Sequence, residues 1–128
     1  MNTPIFTITA LKANEQGESY FEPAGQIAFA DHASLDGTPN GFLSPEFNPD
    51  VTRIHRFTEG TFEDWHTATL GEVYILYLQG IQQITASSGE THDFSCGEIL
   101  WLQDTHGKGH QTRVLASGYS VILINPKI

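Results

Sequence analysis

From Glu59 onward the chain is cut at close, regular intervals by turn signals: Glu59-Gly60, Leu70-Gly71, Gln79-Gly80, Ser88-Gly89-Glu90, Cys96-Gly97-Glu98 and Gly107-Lys108-Gly109. The runs between these signals are short, rich in β-branched and aromatic residues, and carry no helical period. A chain punctuated this way cannot bury itself through helices. It predicts about ten short strands in an all-β sandwich or barrel.

Taken in order, strands are expected over Ile5–Leu11, over Gln26–Phe29 at a sheet edge, and over Val51–Thr58. In the last of these, Val51, Arg53, His55 and Phe57 share one face, and Thr52, Ile54, Arg56 and Thr58 the other, because strand side chains alternate. Thr61–Ala68 is a further extended piece. Glu72–Leu78 is apolar on both faces, as in a central strand covered on both sides, and Ile81–Ser87 returns from the Gln79-Gly80 turn. Thr91–Phe94, Ile99–Leu102, His110–Leu115 and, after a break at Gly118, Tyr119–Ile124 complete the set. Residues 31–50, with Pro39, Pro45 and Pro49, read as a long connection. Phe42, Leu43 and Phe47 within it call for packing against the barrel or a second subunit, and with the apolar run Val73–Leu78 they make a homodimer formed through sheet packing the expected assembly.

At 128 residues the chain suits one domain, 51–128 forming the barrel core and 1–50 its amino-terminal strands and long loop. This size buries enough surface to fold without disulfides. The single Cys96 rules out an internal disulfide and a cysteine zinc cluster. A net charge of −9 repels phosphate backbones and anionic lipid, so neither nucleic acid nor membrane is an expected partner. A local basic pocket stays open, because Arg53, Arg56, Lys108 and Arg113 are four of the six cations. No charged segment followed by an apolar core begins the chain, and no apolar run spans a bilayer; a soluble cytoplasmic protein is expected.

The stretch Phe62–Arg113 brings together two histidines distant in sequence, His66 after Trp65 and His110 after Gly107-Lys108-Gly109. Trp65-His66-x-Ala68, and Glu98-Ile99-Leu100-Trp101-Leu102-Gln103-Asp104-Thr105-His106-Gly107-Lys108-Gly109-His110-Gln111-Thr112-Arg113, resemble the motifs of small single-domain bacterial cupins. The resemblance runs from Arg56 to Arg113. It implies a double-stranded β-helix, the jelly-roll cupin barrel, and a pocket for a small molecule. In that family a divalent metal (Fe, Mn, Ni or Zn) is often held by a His-x-His pair, a glutamate and a later histidine. Carried over by position, His66 matches the first histidine and His110 the last, while Ala68 stands where the second would be. Glu72 falls near the glutamate, although the count to Gly80 is one residue longer than the pattern.

The resemblance therefore implies His66, Glu72 and His110 as metal ligands, with Asp104, His106 or His92 as substitutes. Arg56 and Trp65 would join those three around the pocket, and no organic cofactor is expected. Imidazole and carboxylate suit such metals, and a catalytic site needs three protein ligands and an open position. With Ala68, either the site is altered or the pocket is metal-free. Two functions follow: a metal-dependent enzyme acting on a small, acidic organic substrate as isomerase, dioxygenase or lyase, or a metal-free binding or sensing module. A structural homodimer with no site is a third reading. His32, His55 and His92 are expected to be structural or exposed, and Lys108 to steer a carboxylate.

Overall fold

The computed structural model describes residues 6–33 and 39–127. Among them there is no helix, and hence none long and apolar enough to cross a membrane. Ten strands are present: β1 Thr7–Ala13, β2 Ser19–Gln26, β3 Ala30–Ala33, β4 Pro39–Leu43, β5 Val51–Phe57, β6 Phe62–His66, β7 Val73–Ala86, β8 Thr91–Phe94, β9 Glu98–Leu102 and β10 His110–Ile124. Eight form one mixed sheet along the path β2-β1-β9-β7-β10-β5, with β6 on β10 and β8 on β7; β3 and β4 form a separate two-stranded sheet. All pairings are antiparallel except β1 with β9.

The two longest strands make this sheet barrel-like. β7 pairs β9 through Val73–Leu76 and β8 through Gln82–Thr85. β10 pairs β6 through His110–Arg113 and β5 through Gly118–Ile124. Each therefore passes from one half of the structure into the other, and the shared β7–β10 ladder is irregular between Val114 and Ser120, where both bend. The sequence reads Gly80 and Gly118 as turns that end strands. They lie instead against one another: a Cβ on Gly80 would sit 2.7 Å from the Ala116 and Ser117 carbonyl oxygens, and one on Gly118 would overlap the Gln79 carbonyl. Glycine here admits a bend with the ladder continuing, as at the corners of barrels. The pairing path does not close among the described residues; β2 and β5 end it.

Alternation then sorts the apolar residues into two clusters. Leu11, Phe57, Val73, Tyr77, Leu100 and Leu102 belong to the interior cluster with Ile84, Phe94 and Val114. Their neighbours on the opposite face, Tyr74, Ile99 and Leu123, pack with Phe6, Ile27, Phe47, Leu76 and Trp101. The central-strand expectation holds over Val73–Tyr77, while Leu78 is 51% exposed. The cover on the second face of the run comes from the chain itself, with Phe47 edge-on to Tyr74 at 5.8 Å between centroids. The apolar character of this run thus needs no second subunit. Residues 39–43, expected to be a loop, are a strand, although Phe42 and Leu43 stay 67% and 54% exposed.

Another difference concerns β2. The strand expected over Gln26–Phe29 is displaced to Ser19–Gln26, through Pro23 and Gly25. β2 lies at the end of the sheet, where a missing N–H breaks no second ladder, so proline is tolerated. Ile5, where the first strand was expected to begin, lies outside the described residues, as do residues 34–38 of the long connection and the side chain of His32.

One polar contact is sealed inside beside the bend. The Tyr77 phenol donates to Gln82 Oε1 at 2.8 Å. Burial pushes the phenol far above its ordinary range, so it remains a donor at any ordinary pH. Tyr77→Phe leaves Gln82 Oε1 without its donor and is expected to cost about 1 kcal/mol, read as a lowered denaturation midpoint at unchanged m.

Candidate functional site

β6 and β10 pair in antiparallel register with His66 opposite His110, which places the two imidazoles together. Their ring centroids are 4.3 Å apart at an interplanar angle of 57°. Gly109 makes the juxtaposition possible by packing against the backbone carbonyl of His66, where a Cβ would overlap it. The loop before β10 is anchored by Ala68 N–H donating to the Asp104 carbonyl at 3.1 Å and Gln103 N–H donating to that of Leu11 at 2.8 Å.

The two histidines differ in setting. His110 is 2% exposed, and its Nδ1 lies 2.6 Å from Oδ2 of a fully buried Asp104. His66 is half-buried, and its Nδ1 lies 2.6 Å from the Asp64 carbonyl oxygen. A carbonyl oxygen only accepts, so Nδ1 of His66 carries the proton. With Nδ1 of each ring so engaged, Nε2 is the atom left to the cavity. Glu63 Oε2 stands 3.5 Å from Nε2 of His66. Asp64 further ties β6 to β10 by accepting from Gln111 Nε2 at 2.9 Å, which, with its bond from Trp65 N–H, holds its carboxyl below the usual carboxylate range. The other oxygen of Asp104, Oδ1, is buried and makes no hydrogen bond with the described residues.

A cavity of about 500 Å3 opens beside the pair. Its wall is largely apolar (Val51, Ala68, Leu70, Val73, Ile75, Leu102, Ile122 and Ile124), with Arg53 and Glu63 as its charged members besides the histidines. A smaller cavity of about 140 Å3 shares Glu63, His66 and His110 and is also lined by His55, Gln82 and Thr112. The geometry of the bent strands explains this convergence. The ends of β7 and β10 both contribute, Val73 and Ile75 from one, His110, Ile122 and Ile124 from the other, while the Gly80–Gly118 bend lies away from the cavity wall.

Of the five expected pocket residues, the structure brings His66 and His110 together and sends the others elsewhere. Glu72 is exposed and accepts from the Trp101 indole N–H at 3.0 Å. Trp65 is 47% exposed and does not line the cavity. Arg56 lines a separate cleft of about 280 Å3 with Gln79, Ser117 and Tyr119. Lys108 faces away and pairs with Glu18 at 2.7 Å. Among the suggested substitutes, Asp104 meets His110, His92 pairs with Glu98 at 2.9 Å, and His106 is an exposed loop residue.

Three site residues escape the motif comparison: Arg53, Glu63 and His55. Strand parity carries the signal for two of them. Arg53 and His55 share a face with Phe57, which is buried, whereas Arg56 lies on the face of Ile54, which is 74% exposed. For Glu63 no comparable signal exists, because its position depends on the β6–β10 register.

The family-implied metal can be weighed against these donors. Ala68 presents a methyl group to the cavity, and Glu72 is turned to Trp101. No group of three or more His, Cys, Asp or Glu side chains among the described residues is arranged to hold an ion. The residues present do not fit the three-ligand centre that the resemblance implies. What the arrangement offers is an imidazole whose Nδ1 is held by a buried carboxyl and whose Nε2 meets an apolar chamber. Such a group can accept a hydrogen bond or a proton from a bound molecule. No protein-family model matches the chain, and no curated protein matches it.

Proposed function

We propose that this chain is a small-molecule-binding barrel of the cupin jelly-roll type, whose cavity takes its ligand without a resident metal. The observation that carries the reading is the Asp104–His110 pair set in the wall of a largely apolar chamber, with His66 facing it and Ala68 beside it. A cavity of this size lies within the usual range for ligand sites, roughly 300–1,000 Å3, and few convergent polar groups in an apolar wall is their usual composition. The two long strands shared between halves and the histidines at the ends of β6 and β10 support the jelly-roll cupin assignment.

A second reading has its own support. A buried carboxyl that orients a histidine is the arrangement of a general base, so the same site suits proton transfer on the bound molecule, as isomerisation or elimination requires. His110 would take the proton at Nε2, while Asp104 would hold the ring and stabilise the imidazolium formed.

Cobalt(II) provides the test of the metal-free reading. The wild-type protein is expected to bind it substoichiometrically, whereas Ala68→His, which adds a third imidazole beside His66 and His110, is expected to take up one equivalent with a visible absorption band. Stoichiometric binding by the wild type, lost in His66→Ala, overturns the metal-free reading. An Ala68→His protein that folds and binds no cobalt counts against the cupin placement of this residue. For ligand binding, small apolar molecules should shift the amide resonances of Val73, Ile75, Leu102 and Ile122. A panel that moves none of them sinks the binding reading.

A further inference from the structure

Four of the six cations of this acidic chain are engaged by another side chain. Lys12 pairs with Glu22 at 2.5 Å, Lys108 with Glu18 at 2.7 Å, and Lys127 with Asp50. Arg113 lies over the Phe62 ring, 4.8 Å from its centroid. Among the described residues none of the three arginines has an ion pair, and of them only Arg53 lines the cavity of the histidine pair.

Its placement is dictated by register. Arg53 is opposite Ile122 on the neighbouring strand, and paired residues point to the same side of a sheet. Ile122 lines both cavities, so Arg53 stands on the inner face of β5 at the cavity wall. The one carboxylate lining the same chamber, Glu63, is directed to His66 Nε2 at 3.5 Å and lies beyond 4.0 Å of any Arg53 nitrogen. Arg53 is exposed and has no ion pair among the described residues, so its guanidinium is open to a bound anion. Beside an apolar chamber it presents a forked set of donors that match a carboxylate.

We propose that the cavity binds an organic monocarboxylate with an apolar body, and that Arg53 is the residue that recognises its carboxylate. The apolar body would lie against Val73, Ile75, Leu102 and Ile122, with Nε2 of His110 accepting from any hydroxyl or N–H it carries. The inference rests on the small-molecule reading above and adds the chemical class of the ligand. The one arginine lining the cavity also explains how an anion would enter a protein of net charge −9: the attraction is local, and falls with ionic strength.

The test compares matched acids and amides, octanoate with octanamide and phenylacetate with phenylacetamide, by calorimetry and amide-shift titration on the intact chain. Each acid is expected to bind about tenfold or more tighter than its amide, a margin that shrinks in high salt. Arg53→Gln should abolish the margin while leaving amide affinity in place, and Arg53→Lys should retain part of it. Arg113→Gln removes the same charge outside the cavity and should leave the margin intact. Acid and amide binding equally, a margin that survives Arg53→Gln, or octylamine binding tighter than octanoate each overturns the carboxylate assignment while the small-molecule reading stands. Failure of every acid and amide to bind overturns both.

Discussion

Asp104→Ala is expected to destabilise the protein by about 3 kcal/mol and to lower its melting temperature by roughly 10 °C. The change removes a fully buried carboxyl that holds Nδ1 of His110 at 2.6 Å, and it leaves that N–H enclosed with nothing to accept it. It also opens a small void in the loop whose backbone secures Ala68. Asp104→Asn separates these effects. Its amide oxygen can still accept from Nδ1, so no void forms. However, its NH2 group would fall where Oδ1 now lies without a partner, leaving two buried donors unmet. That variant is expected to lose about half as much, roughly 1–2 kcal/mol.

Imidazole nitrogen shifts provide a readout that a merely structural role would not move. Nδ1 of His110 should be the protonated nitrogen in the wild type, with the tautomers mixing in Asp104→Ala. If Asp104→Ala is within about 0.5 kcal/mol of the wild type, as for an ordinary surface change, the buried pair does not organise the site.

Gly118→Ala is the second large effect, and it tests the architecture rather than the chemistry. A methyl group there would overlap the Gln79 carbonyl and lie 2.7 Å from Gly80 Cα, so β7 and β10 would have to separate where they bend together. Backbone on both sides of the contact cannot rotate aside as a flexible side chain would. A cost of about 4 kcal/mol, a large part of the 5–15 kcal/mol that keeps a domain folded, is expected, with poor accumulation of folded protein. Gly80→Ala should rank close behind. It meets two carbonyl oxygens at 2.7 Å and also forces an alanine to φ 86°, a region costing L residues roughly 1–2 kcal/mol. Chemical denaturation ranks the variants. A Gly118→Ala protein with an unchanged midpoint would show that the two strands do not share this bend.

The bend also shows where local reading of the chain falls short. Gln79-Gly80 carries an ordinary turn signal and Gly118 reads as a break, so by local reading each ends a strand. Both strands run through, because the partner's glycine supplies the matching gap and the ladder resumes on the far side. Whether a glycine ends a strand or bends it depends on what lies opposite, and no single stretch contains that information. Pro23 lies within a strand for a related reason: β2 is at the edge of its sheet.

Other features were legible. The strand character of Thr91–Phe94 and Ile99–Leu102, the two covered faces of Val73–Tyr77, and the alternation of Val51–Phe57 all follow from residue type and period, and the structure agrees with them. Even the exchange of Arg56 for Arg53 was available from parity, since the inner face of that strand is the one holding Phe57.

By itself, then, the sequence determined the all-β class, most strand positions and which residues of a strand share a face, because these depend on residue type and a period of two. His66 and His110 stood out through motif spacing, but their meeting at 4.3 Å depends on the β6–β10 register, a pairing between residues forty-four positions apart (110 − 66). Only the tertiary structure turned Glu72 outward to Trp101, set Asp104 behind His110, and left Arg53 beside the cavity without an ion pair. The first and last are contacts between elements that sequence order keeps apart, and the Asp104–His110 contact spans the loop that leads into β10. They are decided by how two bent strands bring their ends together, and nothing within a single strand encodes them.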